Sequence, residues 1–140
     1  MMMYDLPPRR WTTLVGKSSP AMGAAAIAVA ATGGDGTGTW TQIVAASTIT
    51  NDFCIHGIEI GGAGANAGHW VADIGIGAAA AEVQIGSVGG YDQTSLVGTY
   101  CTFPVPLWVA ANSRVAVRIS NANASGRTFG VRFFYYDGAV

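Results

Sequence analysis

The chain has little charge and almost no lysine. Only 11% of its 140 residues are charged, against about 25% in an average soluble protein, and Lys17 is the single lysine. A surface with so few charges predicts that much of it is covered by other subunits. The few bases do not form the concentrated basic stripe that nucleic-acid binding requires, so we expect no nucleic-acid partner.

Cysteines and long apolar runs are also scarce. Cys54 and Cys101 are too few for a disulfide framework; we expect two small buried side chains, with a disulfide as the less favoured alternative. Residues 21–31, which follow Arg9 and Arg10, have the outline of a signal peptide. The run is alanine-rich, however, and shorter than the about 20 apolar residues that cross a bilayer. We predict an extended arm or strand there, with no targeting role and no membrane partner.

The charges that are present are segregated along the chain. Residues 1–17 carry +2, residues 18–113 contain six acids and no base, and residues 114–140 carry +3. The acids of the middle block are Asp35, Asp52, Glu59, Asp73, Glu82 and Asp92. Opposite blocks can pair within one subunit or head to tail between copies. We predict that Arg114 or Arg118 pairs with one of the last four of these acids.

Glycine and short alternating segments make up most of the rest. Twenty glycines predict tight turns rather than long helices. In residues 115–120, Val115, Val117 and Ile119 alternate with Ala116, Arg118 and Ser120, which is typical of a half-buried strand. Residues 53–60 alternate as well, which predicts one face formed by Cys54, His56, Ile58 and Ile60. Residues 128–136 are apolar or aromatic on both faces, which predicts a central strand or one covered by a partner.

The spacing of these segments predicts the fold. About eight short strands with turn signals between them favour an all-β protein, specifically an antiparallel β-sandwich of the jelly-roll type. Pro7 and Pro8 favour extended backbone, and glycine-rich residues 33–38 suggest a flexible junction. We predict that residues 1–38 form an extended N-terminal arm and linker, and that residues 39–140 form the sandwich body. On this division, deleting the arm leaves the body folded.

Three segments within residues 39–136 resemble small structural proteins of tailed-bacteriophage virions. They are an aromatic strand after a glycine-rich linker (39–47), two alternating strands (71–77 and 82–86), and a strand–turn–strand unit (105–120). That family usually has glycine at the turn position of Asn112, and asparagine tolerates the left-handed backbone needed there. The resemblance implies a non-enzymatic virion protein, assembled in the host cytoplasm, without a cofactor.

The resemblance leaves the location in the virion open. Our first expectation is a capsid decoration, or cement, protein that stabilises the head shell by bridging coat subunits. It would form a homo-oligomer, foremost a trimer, with the major capsid protein or other virion proteins as partners. The alternative is a tail-fibre or baseplate component that binds host glycans. The interface candidates are Arg9, Arg10, Trp11, Arg114, Arg118, Arg132, Phe134 and Tyr136.

The residues that could support chemistry form weak patterns. A notional zinc set combines two cysteines with two histidines, Cys54, Cys101, His56 and His69, but its one close pair lies mid-strand instead of on a turn. A hydrolase would need a carboxylate cluster, and three acids on successive strands could supply it: Glu59, Asp73 and Glu82. Ion pairs with arginines across strands explain these acids without catalysis. A glycan platform could use four aromatic residues: Trp70, Tyr91, Tyr100 and Trp108. We predict no metal site and no catalytic residue, and we expect that the protein is not an enzyme.

Overall fold

The computed structural model describes residues 17–21, 24–34, 36–63, 68–92, 99–122 and 127–137. Within these ranges there are nine strands and no helix, which confirms the prediction of an all-β fold. The strands are β1 (Lys17–Ser19), β2 (Ile27–Thr32), β3 (Thr41–Val44), β4 (Phe53–Ala63), β5 (Gly68–Ile76), β6 (Val83–Asp92), β7 (Thr99–Val109), β8 (Val115–Asn121) and β9 (Thr128–Asp137). A membrane-crossing helix is accordingly absent from these ranges.

The strands form one mixed sheet in the order β6-β5-β8-β2-β9-β4-β7, with β1 also pairing with β9 and β3 with β8. The pairing of β2 with β8 is parallel, whereas the other pairings of the described strands are antiparallel. The outermost strands approach each other where the Leu107 side chain lies against Gly86, so the sheet is nearly closed into a barrel. The purely antiparallel jelly roll expected from the sequence is therefore not confirmed.

The inner side of the sheet holds the hydrophobic core. Val115, Val117 and Ile119 of β8 are fully buried there, as the alternation predicted. On β9, the inward residues Phe129, Val131 and Phe133 are equally buried. Because β9 lies between β2 and β4, the prediction that the final strand is central is confirmed.

Strand β2 corrects the predicted division of the chain at residue 38. Its residues 27–30 pair with β9 and its residues 31 and 32 pair with β8, so β2 connects the two halves of the barrel. Val29 is fully buried in the core and Ala31 nearly so. The prediction of an arm outside the body is therefore wrong for this segment, because its small apolar residues fill core positions.

A β-bulge in β4 overturns the alternation predicted for residues 53–60. The register with both neighbouring strands shifts between Ile55 and Gly57. Ile55 before the bulge and Ile58 and Ile60 after it are consequently all buried, whereas His56 lies on the outer side. The prediction that His56, Ile58 and Ile60 share a face is wrong, because the extra residue of a bulge reverses the facing of every later side chain.

Strands β4 and β7 are long, and the turn after β7 agrees with the sequence prediction. The glycine-rich residues 61–63 continue β4 and pair with β9. Residues 99–109 form one continuous strand. Asn112, in the turn between β7 and β8, has φ of 62°, the left-handed conformation predicted for this position.

Candidate interaction surface

The outer side of β9, β4 and β7 carries a cluster of ring side chains, hereafter the aromatic face: His56, Tyr100, Trp108, Phe134 and Tyr136. Phe134 and Tyr136 point outward because Phe133 and Tyr135, which alternate with them, pack in or against the core. Strand pairing places Cys54 opposite both Tyr136 and Trp108 on this side. Three neighbouring strands therefore bring together two of the sequence-derived interface candidates and two members of the predicted glycan platform.

Two residues of the aromatic face are strongly exposed for their size. Trp108 is 60% exposed and Tyr100 is 49% exposed. Large contiguous apolar patches are uncommon on monomeric soluble proteins. Tryptophan and tyrosine are also the residue types that contribute most to binding energy in protein interfaces. This arrangement favours the aromatic face as a contact surface.

His56 lies at the centre of the aromatic face. Its ring stacks on Tyr136 with centroids 4.3 Å apart and 22° between the planes. The Tyr100 hydroxyl oxygen is 3.2 Å from Nδ1 of His56, and the Tyr100 ring meets Phe134 edge to face at 5.1 Å. Nε2 of His56 is buried without a hydrogen-bond partner. Burial therefore lowers the pKa of His56, because water cannot solvate the charged ring.

We expect acid to destabilise the protein through His56. A lowered folded-state pKa means that the unfolded chain binds the proton more tightly, so stability is complete above about pH 6.5, the ordinary histidine pKa. The stability contributed by neutral His56 is lost as the pH falls below this value and through the folded-state pKa. Urea midpoints at pH 7.5 and 5.5 should fall with pH in the parent and much less in His56→Phe, which keeps a ring on Tyr136. Equal falls in both proteins would contradict this role.

The edge of the sheet beside the aromatic face is unsuited to strand addition. Between Thr102 and Leu107, four residues of β7 stand opposite His56 alone, and two of them are Pro104 and Pro106. Proline cannot donate a ladder hydrogen bond, and bulges and prolines are features that protect sheet edges. Val105 projects from this bulge and is largely exposed. A partner is therefore more readily held by side chains of the aromatic face than by the β7 backbone.

The opposite outer surface, on β8, β5 and β6, carries charged side chains that pair within the subunit. Arg118 Nε lies 2.9 Å from Asp73 Oδ2, and its guanidinium lies 4.6 Å from the centre of the Trp40 ring. Arg114 Nη1 lies 2.5 Å from Glu82 Oε1. The prediction that one of these arginines pairs with an acid of the middle block is confirmed for both, within the sheet.

The Arg114–Glu82 pair is the more buried of the two. The Glu82 side chain is only 1% exposed, against 20% for Asp73. Burial opposes ionisation of Glu82, but hydrogen bonds from Arg114 and from backbone groups at Glu82 and Ala80 outweigh it, so the pKa of this carboxyl is lowered. Glu82 is therefore held as a carboxylate that depends on Arg114.

We expect Arg114→Ala to lower the melting temperature more than Arg118→Ala. The first change leaves the buried Glu82 carboxylate without its arginine, whereas Asp73 stays partly solvated and keeps its hydrogen bond from Ser87. Adding Glu82→Gln to Arg114→Ala should recover part of the loss, because it removes the unpaired charge. Equal melting temperatures for the two arginine variants would contradict this ranking.

The remaining candidates from the sequence are dispersed. Arg132 binds Glu59, with Nη1 3.1 Å from Oε2, and donates to the Ala24 carbonyl through Nη2. Arg114, Arg118 and Arg132 thus each have an intrasubunit partner. Arg9, Arg10 and Trp11 lie outside the described residues.

The zinc, carboxylate and glycan sets are not assembled as the sequence suggested. Among the described residues, no three histidine, cysteine or acidic side chains are grouped to hold a metal. Cys54 faces outward, whereas Cys101 packs against the core and both are free thiols. Trp70 is buried against Phe129, which removes it from any exposed glycan platform.

The aromatic face could be found only in part from the sequence. Because β9 has aromatic residues on both faces, the sequence identified Phe134 and Tyr136 as interface candidates. His56 was missed as their neighbour because the bulge in β4 is not visible in a period-2 pattern.

Comparison of the chain with known protein families, with curated proteins and with solved structures finds no significant match.

Proposed function

We propose that this chain is a non-enzymatic structural protein that self-associates through its aromatic face, and that it serves as a virion protein of a tailed bacteriophage. The observation that carries the self-association is the exposure of Trp108 and Tyr100 beside Phe134 and Tyr136. The low charge content also supports self-association. The assignment to a virion rests on the resemblance of residues 39–47, 71–86 and 105–120.

Within the virion, the first role we propose is capsid decoration, with the homo-oligomer bridging coat subunits. The four ion pairs of the described residues join groups of one subunit. Contacts between copies would therefore rest mainly on the exposed rings of the aromatic face and less on these charges, which suits stable assembly rather than transient exchange. Hundreds of copies per purified particle would support a head location, whereas a handful would place the protein in the tail.

Self-association is the direct test of this proposal. We expect the parent protein to sediment as an oligomer at micromolar concentration, and Trp108→Ser to sediment as a smaller species that keeps a cooperative melting transition. The matched control is Tyr91→Ser, which changes an exposed aromatic residue of β6 outside the aromatic face. A parent protein that is a single monomeric species at this concentration would overturn the proposal.

A second candidate function is glycan binding by a tail-fibre or baseplate domain. The observation that favours it is the outward position of Trp108 and Tyr100, because flat exposed aromatic rings stack on sugar faces. Quenching or enhancement of tryptophan fluorescence by oligosaccharides, lost in Trp108→Ser, would support this function. Absence of any response across host surface glycans would leave decoration as the better proposal.

A further inference from the structure

We propose that the aromatic face of one copy binds residues 1–16 of a second copy. This inference rests on the proposed self-association and names the segment that covers the face. The segment contains Pro7, Pro8, Arg9, Arg10 and Trp11, and so includes three of the interface candidates drawn from the sequence.

The place where the chain enters the barrel favours a second copy as the receiver. β1 is antiparallel to β9 and begins at Lys17, opposite Tyr135. Lys17 therefore lies near the end of the barrel that carries Trp108 and Tyr136. A sixteen-residue segment joined to the barrel there could span about 50 Å if extended. That length is enough to cross the aromatic face of a copy that adjoins this end of the barrel.

The chemistry of the segment matches an aromatic receiver. Two successive prolines favour the polyproline II conformation, and proline-rich segments bind surfaces lined with aromatic rings because little entropy is lost. Trp11 adds a large apolar side chain of the type that dominates interface binding energies. Trp108, Tyr100 and the half-buried Tyr136 supply the complementary rings.

The charges of the segment and of the barrel also favour binding at the end of the barrel that carries Trp108 and Tyr136. Asp52 and Asp137 both stand at the end of the barrel where Trp108 and Tyr136 lie, since Phe53 pairs with Asp137. Asp52 is exposed, whereas Asp137 is bound by Lys17 at 2.6 Å. Arg9 and Arg10 would bring positive charge next to Trp11, opposite the acidic residues at this end.

Complementation between two full-length variants tests the proposal. Trp11→Ala changes the segment and keeps the face, whereas Trp108→Ala changes the face and keeps the segment. We expect each variant alone to self-associate at least about tenfold more weakly than the parent, as for other central tryptophans of interfaces. An equimolar mixture should form a one-to-one complex in sedimentation velocity, because each partner supplies what the other has lost. Tyr91→Ala is the control and should associate like the parent.

The outcomes separate this inference from the proposed function. If Trp11→Ala associates like the parent while Trp108→Ala does not, the face is an interface but residues 1–16 do not cover it, and the inference fails. If both variants are weakened and their mixture forms no complex, the segment and the face do not bind each other across copies, and the inference also fails. A monomeric parent would instead overturn the self-association itself.

Discussion

Deleting residues 1–38 is expected to leave a chain that does not fold. The deletion removes β2, which pairs with both β8 and β9, and it removes the fully buried Val29 from the core. Small domains are stable by only about 5–15 kcal/mol. The loss of a central strand, which also exposes the backbone edges of two neighbours, exceeds that margin. Circular dichroism and a cooperative melting transition measure the outcome.

A single substitution tests the same strand with a matched control. Val29→Asp places a carboxylate without a partner in the core and should cost about 4 kcal/mol or more. Ala28→Asp makes the same change one residue earlier, where the side chain is exposed on the outer side. It should cost less than about 1 kcal/mol. Similar urea midpoints for the two variants would mean that β2 is not a core strand.

Strand β2 also shows which parts of the fold a single sequence can predict. The alternation in β8 is uninterrupted, so its inward residues could be assigned from sequence alone. Strand β9 is apolar on both faces, so the sequence predicted that it is central or covered but did not say which face points inward. In β2, alanine fills three of the six positions, and the contrast between core and surface residues is too weak to place the strand inside the barrel. Its two pairing partners lie about 100 residues further along the chain, so no local pattern reveals them.

The bulge at His56 could not be predicted from a local sequence pattern either. It forms where β4 meets the proline-containing insertion of β7, so it depends on two segments about 50 residues apart.

The ion pairs, in contrast to the bulge, were predicted in part from the sequence. Segregation of acids and bases predicted that Arg114 and Arg118 would find partners, but the strand order decided that those partners are Glu82 and Asp73.

We expect Gly38→Ala, a substitution in the glycine-rich junction, to destabilise the barrel strongly. A β-carbon built at Gly38 would lie 2.4 Å from the carbonyl oxygen and 2.9 Å from the nitrogen of Ile119. Both atoms belong to the backbone of β8, and Ile119 itself pairs with Ala31 of β2, so they cannot rotate away. We expect a cost toward the upper end of the about 1–3 kcal/mol typical of overpacking. The junction is thus a tight crossing rather than a flexible linker at this residue.

Gly36→Ala is the matched control for this experiment. Its added β-carbon would approach the Cγ2 methyl of Thr32 at 2.8 Å, which a change of side-chain rotamer can relieve, and the nearest backbone atom, the Gly33 carbonyl oxygen, is 3.3 Å away. We therefore expect the urea midpoint of Gly36→Ala to stay close to that of the parent, while the midpoint of Gly38→Ala falls. Equal midpoints for the two variants would show that residues 36–38 do not press against β8. The original prediction of a flexible junction would then stand for this segment.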